Sequence, residues 1–259
     1  MLQALQFENE HVCKLKLFPA PNLFTIRAAG NMSPQWDNPE EVKIRTINIF
    51  SHQRINLRRS FAIIPEHSDR IVCVDGAQEI SEERPSKIFC DGLLTDSIDT
   101  PLLLRPADCL PIFMTTADWA FIGVIHAGWK GACKGIARKA VERAVKNYGV
   151  PVDKIHVGIG PSIHRCCYNN ENLAKNLVKD NQWLPFITDG PLGIRIDLVG
   201  FVVKQLLDAG VNPAHITIAT ACTCCAKNKE TGEYLFFSHH RALKDATEKE
   251  GRFMALIAF

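Results

Sequence analysis

Two residues that could do chemistry interrupt an apolar, glycine-punctuated stretch in the middle of the chain. Within RPADCLPIFMTTADWAFIGVIHAGWKGACKG, residues 105–135, Cys109 and His126 stand 17 positions apart. A thiolate and a neutral imidazole suit a borderline-soft ion such as zinc, and a catalytic zinc site typically adds a third protein ligand and an open position. The spacing matches no standard zinc finger, and a buried cysteine with a hydrogen-bonded histidine is the structural alternative.

The pattern around these two residues predicts how they meet. Apolar runs at 110–114 and 120–126 are joined by a polar turn at 115–118, which predicts a β-hairpin. In an antiparallel pair, Cys109 before the first strand and His126 at the end of the second lie at the same end of the sheet. A helix is predicted to follow, with its free backbone N–H groups directed at the same region. The segment is therefore a candidate site.

Strand-like runs outnumber helix-like runs in the whole chain. Further strands are predicted at 23–28, 70–74, 155–159, 216–219, 234–237 and 253–259. Helices are predicted at 131–148, at 171–179 and at 198–209, where Asp197 can cap the last. Strands and helices do not alternate strictly, so the pattern favours a mixed α+β architecture over a doubly wound sheet.

Composition narrows the class of protein. The chain has 259 residues, is 46% hydrophobic and shows no clean linker or repeat, so we expect one domain over 1–259. Its formal charge is only +2, with scattered basic residues, and nucleic acid is not an expected partner. We expect no membrane span and no signal peptide. Ten cysteines without an export signal favour thiols and metal ligands over disulfides, and hence a cytoplasmic location.

Several motifs occur in the order in which a known family has them. The segments ADCLP at 107–111 and HAGWKG at 126–131 resemble signatures of the YfiH/LACC1-like family, also called the laccase-domain or multicopper polyphenol oxidoreductase family. Other family segments are similar to NPEEV at 38–42, CDGLLTD at 90–96, GIGP at 158–161, CCY at 166–168, CTCC at 222–225 and LFFS at 235–238. The resemblance covers most of the chain. It implies a single-domain, layered α/β/β/α sandwich with mixed sheets, the CNF1/YfiH-like fold.

The resemblance also implies a metal site. In that family two histidines and one cysteine hold the metal, and the matching positions here are His67, Cys109 and His126. His67 lies in IPEHSDRIV at 64–72, where the histidine and the hydrophobic pattern after it match the family. This set leaves one position of zinc open for water, as in catalytic zinc sites.

Activity on purine nucleosides is the function that the resemblance implies. Members are known for adenosine deamination and for phosphorolysis of adenosine, inosine, guanosine or methylthioadenosine. Zinc can lower the pKa of bound water from 15.7 to about 7 and so supply hydroxide to attack the purine C6. Asp108, beside Cys109, is expected to act as a proton shuttle or to orient the ligands, and its alternative role is that of a turn residue holding backbone.

Substrate contacts are expected from four further residues. Arg241 matches an arginine in the family's C-terminal S-x-x-R pattern and could hold phosphate or ribose through its forked donors. Arg27 and Asn31 fall near the family's early arginine and asparagine motif. Trp129 is a candidate for packing against a base. Lys130 could add an anion contact, although we favour a solvated side chain there.

The remaining cysteine groups, 166/167 and 222/224/225, have three interpretations. They could form a structural zinc site or a redox pair, although they lack the regular paired spacing of a zinc ribbon. We favour reduced, partly buried thiols near the site, because cysteine is among the most buried residue types.

Three other functions compete with a zinc-dependent nucleoside enzyme. A copper-dependent polyphenol oxidase needs a histidine-rich set of copper sites, which nine scattered histidines without a His-x-His pair do not supply. A cysteine hydrolase would use Cys109 as nucleophile and His126 as base. A non-catalytic interaction protein would tolerate loss of Cys109. The oligomeric state, the preferred nucleoside and the native metal stay open.

Overall fold

The computed structural model describes residues 5–75, 85–191 and 193–259, and two mixed β-sheets lie at the middle of its fold. Over these ranges the strands are β1 (Leu5–Phe7), β2 (Val12–Leu15), β3 (Asn22–Thr25), β4 (Phe61–Ile64), β5 (Ile71–Cys73), β6 (Ser86–Phe89), β7 (Gly92–Thr95), β8 (Leu102–Leu104), β9 (Leu110–Thr116), β10 (Ile122–Ala127), β11 (Ile155–Ile159), β12 (Ile187–Thr188), β13 (Arg195–Ile196), β14 (Ile216–Ile218) and β15 (Ala255–Ile257). The α-helices are α1 (Pro39–His52), α2 (Trp129–Cys133), α3 (Ile136–Tyr148), α4 (Glu171–Leu177), α5 (Leu198–Asp208) and α6 (His239–Ala242).

Both large sheets contain parallel and antiparallel neighbours. Among the described residues, seven strands form one sheet in the order β1-β2-β3-β15-β8-β4-β6, and six form the other in the order β14-β11-β9-β10-β7-β5. In the second sheet β9 pairs antiparallel with β10 and β11, whereas β14 and β5 join parallel to their neighbours. The mixed α+β class predicted from the sequence is confirmed.

The two sheets pack face to face, and helices cover their outer faces. Between the sheets Phe24 of β3 stacks on Phe113 of β9, with ring centroids 5.1 Å apart. Side chains alternate across each strand. Accordingly Leu103 of β8 packs with Phe50 of α1, whereas Leu102 and Leu104 face the second sheet. Helices α3 and α5 cover the other side of that second sheet, around Ile112. The layers therefore follow one another as α/β/β/α.

The helix predicted at 131–148 is two helices. It begins earlier, at Trp129, and is interrupted after Cys133, because Gly135 adopts a left-handed conformation with φ 76°. A side chain at that φ would be strained, and glycine permits the break. The helix N-terminus near Cys109 and His126 thus belongs to the five-residue α2 and not to a long helix.

Most other predicted elements are confirmed, and one is wrong. Helix α5 begins after Asp197, whose side chain accepts a hydrogen bond from the N–H of Gly200 at 2.8 Å. The predicted strand at 234–237 does not form. The carbonyl of Phe236 instead accepts a hydrogen bond from Arg241, and only an isolated bridge joins Tyr234 to Lys227. Among the described helices, none is long and apolar enough to cross a membrane.

Candidate metal centre

The β9–β10 hairpin brings Cys109 and His126 together. Leu110 pairs with Ala127, and Pro111 pairs with His126, so the residue before β9 lies next to the end of β10. This confirms the hairpin predicted from the sequence and the spatial proximity that it implies. Both strands are buried along their full length, so the two side chains sit at the edge of a rigid core.

His67 joins this pair from the loop between β4 and β5. One ligand atom each of His67, Cys109 and His126 lies within 4.8 Å of the other two. The two imidazole rings are nearly perpendicular, with centroids 5.1 Å apart. His67 is exposed and has a left-handed φ of 56°, a conformation that costs about 1–3 kcal/mol and persists only when neighbouring contacts enforce it.

Asp91 supplies the contacts that hold the His67 loop. Its carboxylate accepts hydrogen bonds from the backbone N–H groups of Glu66, His67 and Ser68, at 3.2, 3.1 and 2.7 Å, and from the Ser68 hydroxyl at 2.7 Å. The same carboxylate lies 2.8 Å from Nδ1 of His126, and the Asp91 carbonyl accepts from the His126 N–H. One fully buried residue therefore positions both histidines.

The charge state of Asp91 fixes the tautomer of His126. Burial alone would raise the pKa of the Asp91 carboxyl, but hydrogen bonds from His126 and Ser68 outweigh it and bring the pKa to about 2. An ionised carboxylate only accepts hydrogen bonds, so Nδ1 of His126 is the donor. Nε2 is then the ring nitrogen left for the centre, an arrangement typical of histidine ligands.

Cys109 and His126 form a strongly coupled pair. Burial raises the pKa of the Cys109 thiol, but the imidazoles of His126 and His67 more than offset it and bring the pKa to about 6. Burial lowers the pKa of His126, and the Cys109 thiolate and Asp91 raise it to about 9. Without a metal the pair is thus a thiolate and an imidazolium, and the proton belongs to the pair.

The space between the three side chains fits a metal ion. A Cβ added to Gly128 would lie 3.0 Å from Sγ of Cys109, 3.4 Å from Cδ2 of His67 and 3.8 Å from Cε1 of His126. The glycine therefore keeps side-chain atoms out of the centre. One sulfur and two imidazole nitrogens suit zinc or copper, and the carboxylate behind His126 is the usual partner of such a ligand.

Asp108 is tied to the C-terminal part of the chain. Its carboxylate accepts hydrogen bonds from the hydroxyls of Thr223 and Ser238, at 2.6 and 3.0 Å, and from the backbone N–H of His240 at 2.6 Å. The side chain is buried and its φ is 78°. These contacts join the centre to the segments that carry Thr223 and Ser238, and the proton-shuttle role stays a prediction.

Arg241 lies in that C-terminal segment with its donors engaged. Nη1 donates to the carbonyls of Thr223 and Cys224, at 3.0 and 2.9 Å, and Nη2 donates to the carbonyl of Phe236 at 2.8 Å. Nε lies 3.0 Å from the Glu248 carboxylate, and the guanidinium stacks 3.8 Å from the ring centroid of Tyr234. This is a structural arrangement, and phosphate binding by Arg241 stays a prediction.

Arg27 and Asn31, two other predicted contact residues, contact the same C-terminal segment. Arg27 forms an ion pair with Glu248. The buried Asn31 donates to the carbonyls of Trp36 and Glu250 and accepts from the N–H groups of Ser33 and Arg252.

Trp129 is the first residue of α2, next to Gly128, and is partly buried against the core, with Lys130 over its ring. The structure thus places Trp129 near the centre and Asn31 in a backbone-holding role.

Two residues at the centre were not predicted from the sequence. Asp91 lies within the CDGLLTD segment, but its contacts reach 25 residues back and 35 forward, which no local pattern indicates. Tyr168 follows the CC pair, and burial, with the negative charges of Cys109 and Asp108 nearby, raises the pKa of its phenol. Tyr168 therefore stays protonated, and its ring packs edge-on against His240 with centroids 5.9 Å apart.

The fold and the site define a mixed α+β protein in which a His–Cys–His group between a hairpin and a loop could hold a metal ion. The chain belongs to the family described as multi-copper polyphenol oxidoreductase laccase, whose sequence profile matches residues 26–259. This confirms the family resemblance noted in the sequence.

Two relatives in the sequence comparison are named as enzymes that act on nucleosides. Over 171 residues the chain is 34% identical to the purine nucleoside phosphorylase YlmD of Geobacillus stearothermophilus, covering 64% of this chain and 59% of that protein. It is 29% identical over 166 residues to adenosine deaminase RL5 of an unknown prokaryotic organism, covering 61% of this chain and 63% of that protein. These sequence matches thus span less than two thirds of the length of the two relatives.

Solved structures show the same fold over the full length. The crystal structure of YlmD from Geobacillus stearothermophilus superposes with a TM-score of 0.85 at 26% identity, covering 99% of both chains. The structure of YfiH from Bacillus licheniformis gives a TM-score of 0.86 at 24% identity and covers 100% of both chains. The YfiH-like fold expected from the motifs is confirmed.

Proposed function

We propose that the protein is a zinc-dependent purine nucleoside enzyme, with phosphorolysis of adenosine, inosine, guanosine or methylthioadenosine and deamination of adenosine as its reactions. The observation that carries the proposal is the convergence of His67, Cys109 and His126 within 4.8 Å. The names of the relatives support the substrate class, since YlmD is named a purine nucleoside phosphorylase and RL5 an adenosine deaminase. The expected partners are the nucleoside and phosphate.

Zinc is the proposed metal because the ligand set has three protein donors and leaves a position open to substrate or water. When bound, zinc supplies Lewis acidity at neutral pH, which serves charge development on a purine or on an attacking oxygen. Copper is the alternative metal that the same donors accommodate.

The chain's own residues then have distinct tasks. Asp91 holds the Nδ1 proton of His126 and so presents Nε2 to the metal. Asp108 fixes the position of Cys109 relative to the Thr223 and Ser238 segments, and we propose that it shuttles a proton from the attacking water to the leaving ammonia in deamination.

Two further groups are proposed to shape the substrate pocket. Tyr168 keeps its phenol protonated and therefore able to donate a hydrogen bond, and the indole of Trp129 offers a face for the base. Arg241 and Arg27, which share Glu248, are proposed to form the wall that faces phosphate or ribose, and Asn31 is proposed to support that wall through its hydrogen bonds to the backbone of Glu250 and Arg252.

A cysteine hydrolase is the second candidate, and one observation favours it. Cys109, His126 and Asp91 form a connected thiol–imidazole–carboxylate series, and the imidazoles lower the pKa of Cys109 to about 6. That is the arrangement of an activated nucleophile. The second imidazole, His67, has no role in such a series but completes a metal ligand set. For this reason we prefer the metal enzyme.

Metal analysis combined with adenosine turnover tests the proposal. Purified protein is assayed with and without phosphate, and products are separated by chromatography. Inosine indicates deamination, and adenine with ribose 1-phosphate indicates phosphorolysis. We expect the variants Cys109→Ala and His126→Ala to lose both the metal of this centre and turnover. Variants that keep full activity would overturn the site, and metal-free protein that turns over and reacts covalently at Cys109 would favour the hydrolase.

A further inference from the structure

Four cysteines outside the candidate metal centre converge from two loops. They are Cys166, Cys167, Cys222 and Cys225, and their Sγ atoms all lie within 4.8 Å of one another. Cys222 is buried, Cys167 is partly buried, and Cys166 and Cys225 are exposed, so the group sits at the surface with one side in the core. All four are free thiols. The proposed nucleoside reaction makes no use of them.

The distances between these sulfurs fit one tetrahedral ion. Zinc–thiolate bonds are about 2.3 Å long, so neighbouring sulfurs of a tetrahedral set lie about 3.8 Å apart. Sγ of Cys166 lies 3.7 Å from Sγ of Cys167 and 3.7 Å from Sγ of Cys225. The remaining pairs, within 4.8 Å, need only small side-chain adjustments to reach that spacing.

The backbone around the sulfurs has features of a zinc-binding turn. Cys222 and Cys225 have the C-x2-C spacing common in structural zinc sites. The N–H of Cys225 donates to the Cys222 carbonyl at 3.3 Å, which closes a turn and turns both sulfurs to one side. The N–H of His164 lies 3.4 Å from Sγ of Cys222 and donates to it. Backbone N–H groups that donate to a ligand atom orient it and stabilise its charge.

We propose that Cys166, Cys167, Cys222 and Cys225 bind one structural zinc ion through four thiolates. Sulfur ligands select zinc over hard cations such as magnesium or calcium, which take oxygen ligands. A set of four protein ligands leaves no open position, which is the mark of a structural and not a catalytic site. This differs from the reduced, unligated thiols favoured by the sequence, where the two cysteine groups are 55 positions or more apart.

The proposed ion would fix one wall of the candidate metal centre. Thr223, inside the C-x2-C turn, donates its hydroxyl to Asp108, the neighbour of Cys109, at 2.6 Å. Tyr168, directly after Cys167, packs edge-on against His240, whose backbone N–H donates to Asp108 at 2.6 Å. The N–H of Thr223 also donates to the carbonyl of Ser162 at 2.9 Å, so the two loops are already in contact. Zinc would join them covalently. The inference does not rest on the nucleoside chemistry.

Zinc content and zinc coordination test the proposal in the full-length chain. Protein loaded with zinc alone and desalted is expected to hold about two zinc ions per chain, one in each ligand set. His126→Ala is expected to lose one of them. X-ray absorption of the zinc retained by His126→Ala should show four sulfurs at about 2.3 Å. The double variant Cys222→Ser/Cys225→Ser should lose the zinc ion bound by the four cysteines. It should keep the ion of the candidate metal centre, where only one ligand is a sulfur.

Matched controls separate ligation from general effects of cysteine loss. Cys224→Ser changes the residue between the two ligands of the turn, and Cys133→Ser changes an exposed cysteine elsewhere, and both should keep the full zinc content. Circular dichroism checks that each variant folds. The coordination measurement on His126→Ala tests the proposal even if the double variant does not fold. The proposal is overturned if Cys222→Ser/Cys225→Ser keeps all its zinc, or if the zinc in His126→Ala is bound by nitrogen and oxygen. The proposal is also overturned if the wild-type protein contains a Cys166–Cys225 disulfide, or if its four cysteines bind iron instead of zinc.

Discussion

The carboxylate of Asp91 lies 2.8 Å from Nδ1 of His126, and neither residue has more than 3% of its surface exposed. The same carboxylate holds the backbone of the His67 loop. Two candidate metal ligands that come from separate parts of the chain therefore share one support. Loss of that support should weaken metal binding even though Asp91 lies outside the proposed ligand set.

Asp91→Asn is expected to weaken zinc binding at the candidate centre by about 10–100-fold, because an amide cannot accept all the hydrogen bonds that the carboxylate accepts. Competition with a chelator measures the affinity. Asp96→Asn is the matched control, since Asp96 lies in the same segment but is exposed, and its affinity should equal that of wild type. Equal affinities for Asp91→Asn and wild type would contradict the role assigned to Asp91.

Asp91 should also give the metal-free protein a defined acid sensitivity. Its pKa is lowered from 3.8 to about 2, so the folded state favours the ionised form. This contribution, about 2 kcal/mol, is fully present above about pH 4 and is lost as the pH falls through about 2. Urea unfolding of metal-free protein between pH 5 and 2 should show this loss, and the Asp91→Asn variant should show a flatter profile. Parallel profiles for the two proteins would refute the expectation.

Alkylation of Cys109 reports on its coupling to the imidazoles. In metal-free protein the rate with iodoacetamide should rise with a midpoint at about pH 6, because the thiolate is the nucleophile. His126→Ala should move the midpoint upward, since it removes the nearest positive charge. Cys133, whose pKa burial raises, is the internal control and should react only at higher pH. Peptide mass spectrometry follows both sites, and zinc should protect Cys109 alone of the two.

Local patterns account for the parts of the centre that could be predicted. Cys109 and His126 flank two apolar runs and a polar turn, so hairpin geometry alone places them together. Asp91 could not be found this way, because its role depends on pairing between strands that are distant in sequence. His67 was assigned by resemblance, and its position depends on the same long-range contacts.

Two elements show the limits of local pattern in opposite ways. Helix α1 was not predicted, although Asn38 caps it by accepting from the N–H groups of Glu40 and Glu41, and Pro39 occupies its first turn. That signal was present in the sequence. The strand predicted at 234–237 is wrong for a reason that the sequence does not show: Arg241 binds the carbonyl that a strand neighbour would need.

Arg241→Lys tests whether the guanidinium supports the fold or the substrate. Lysine keeps the charge but loses the forked donors and the stacking on Tyr234, so the free energy of unfolding should fall by about 2 kcal/mol or more. Arg138→Lys is the control, because Arg138 forms an exposed pair with Glu142 and the change should cost less than about 0.5 kcal/mol. If Arg241→Lys keeps its stability while its KM for phosphate rises tenfold, Arg241 binds phosphate instead.

Gly128→Ala tests whether the space between the ligands is needed for metal. The added methyl group would lie 3.0 Å from Sγ of Cys109, closer than ordinary contact, and 3.4 Å from the His67 ring. Because Gly128 has an ordinary φ of −81°, the backbone tolerates alanine, and unfolding of metal-free protein should change by less than about 1 kcal/mol. Zinc affinity and nucleoside turnover should both fall at least tenfold. Gly190→Ala, where an added Cβ meets nothing within 4 Å, should leave both unchanged. Metal binding by Gly128→Ala at the wild-type level would show that the ion lies elsewhere.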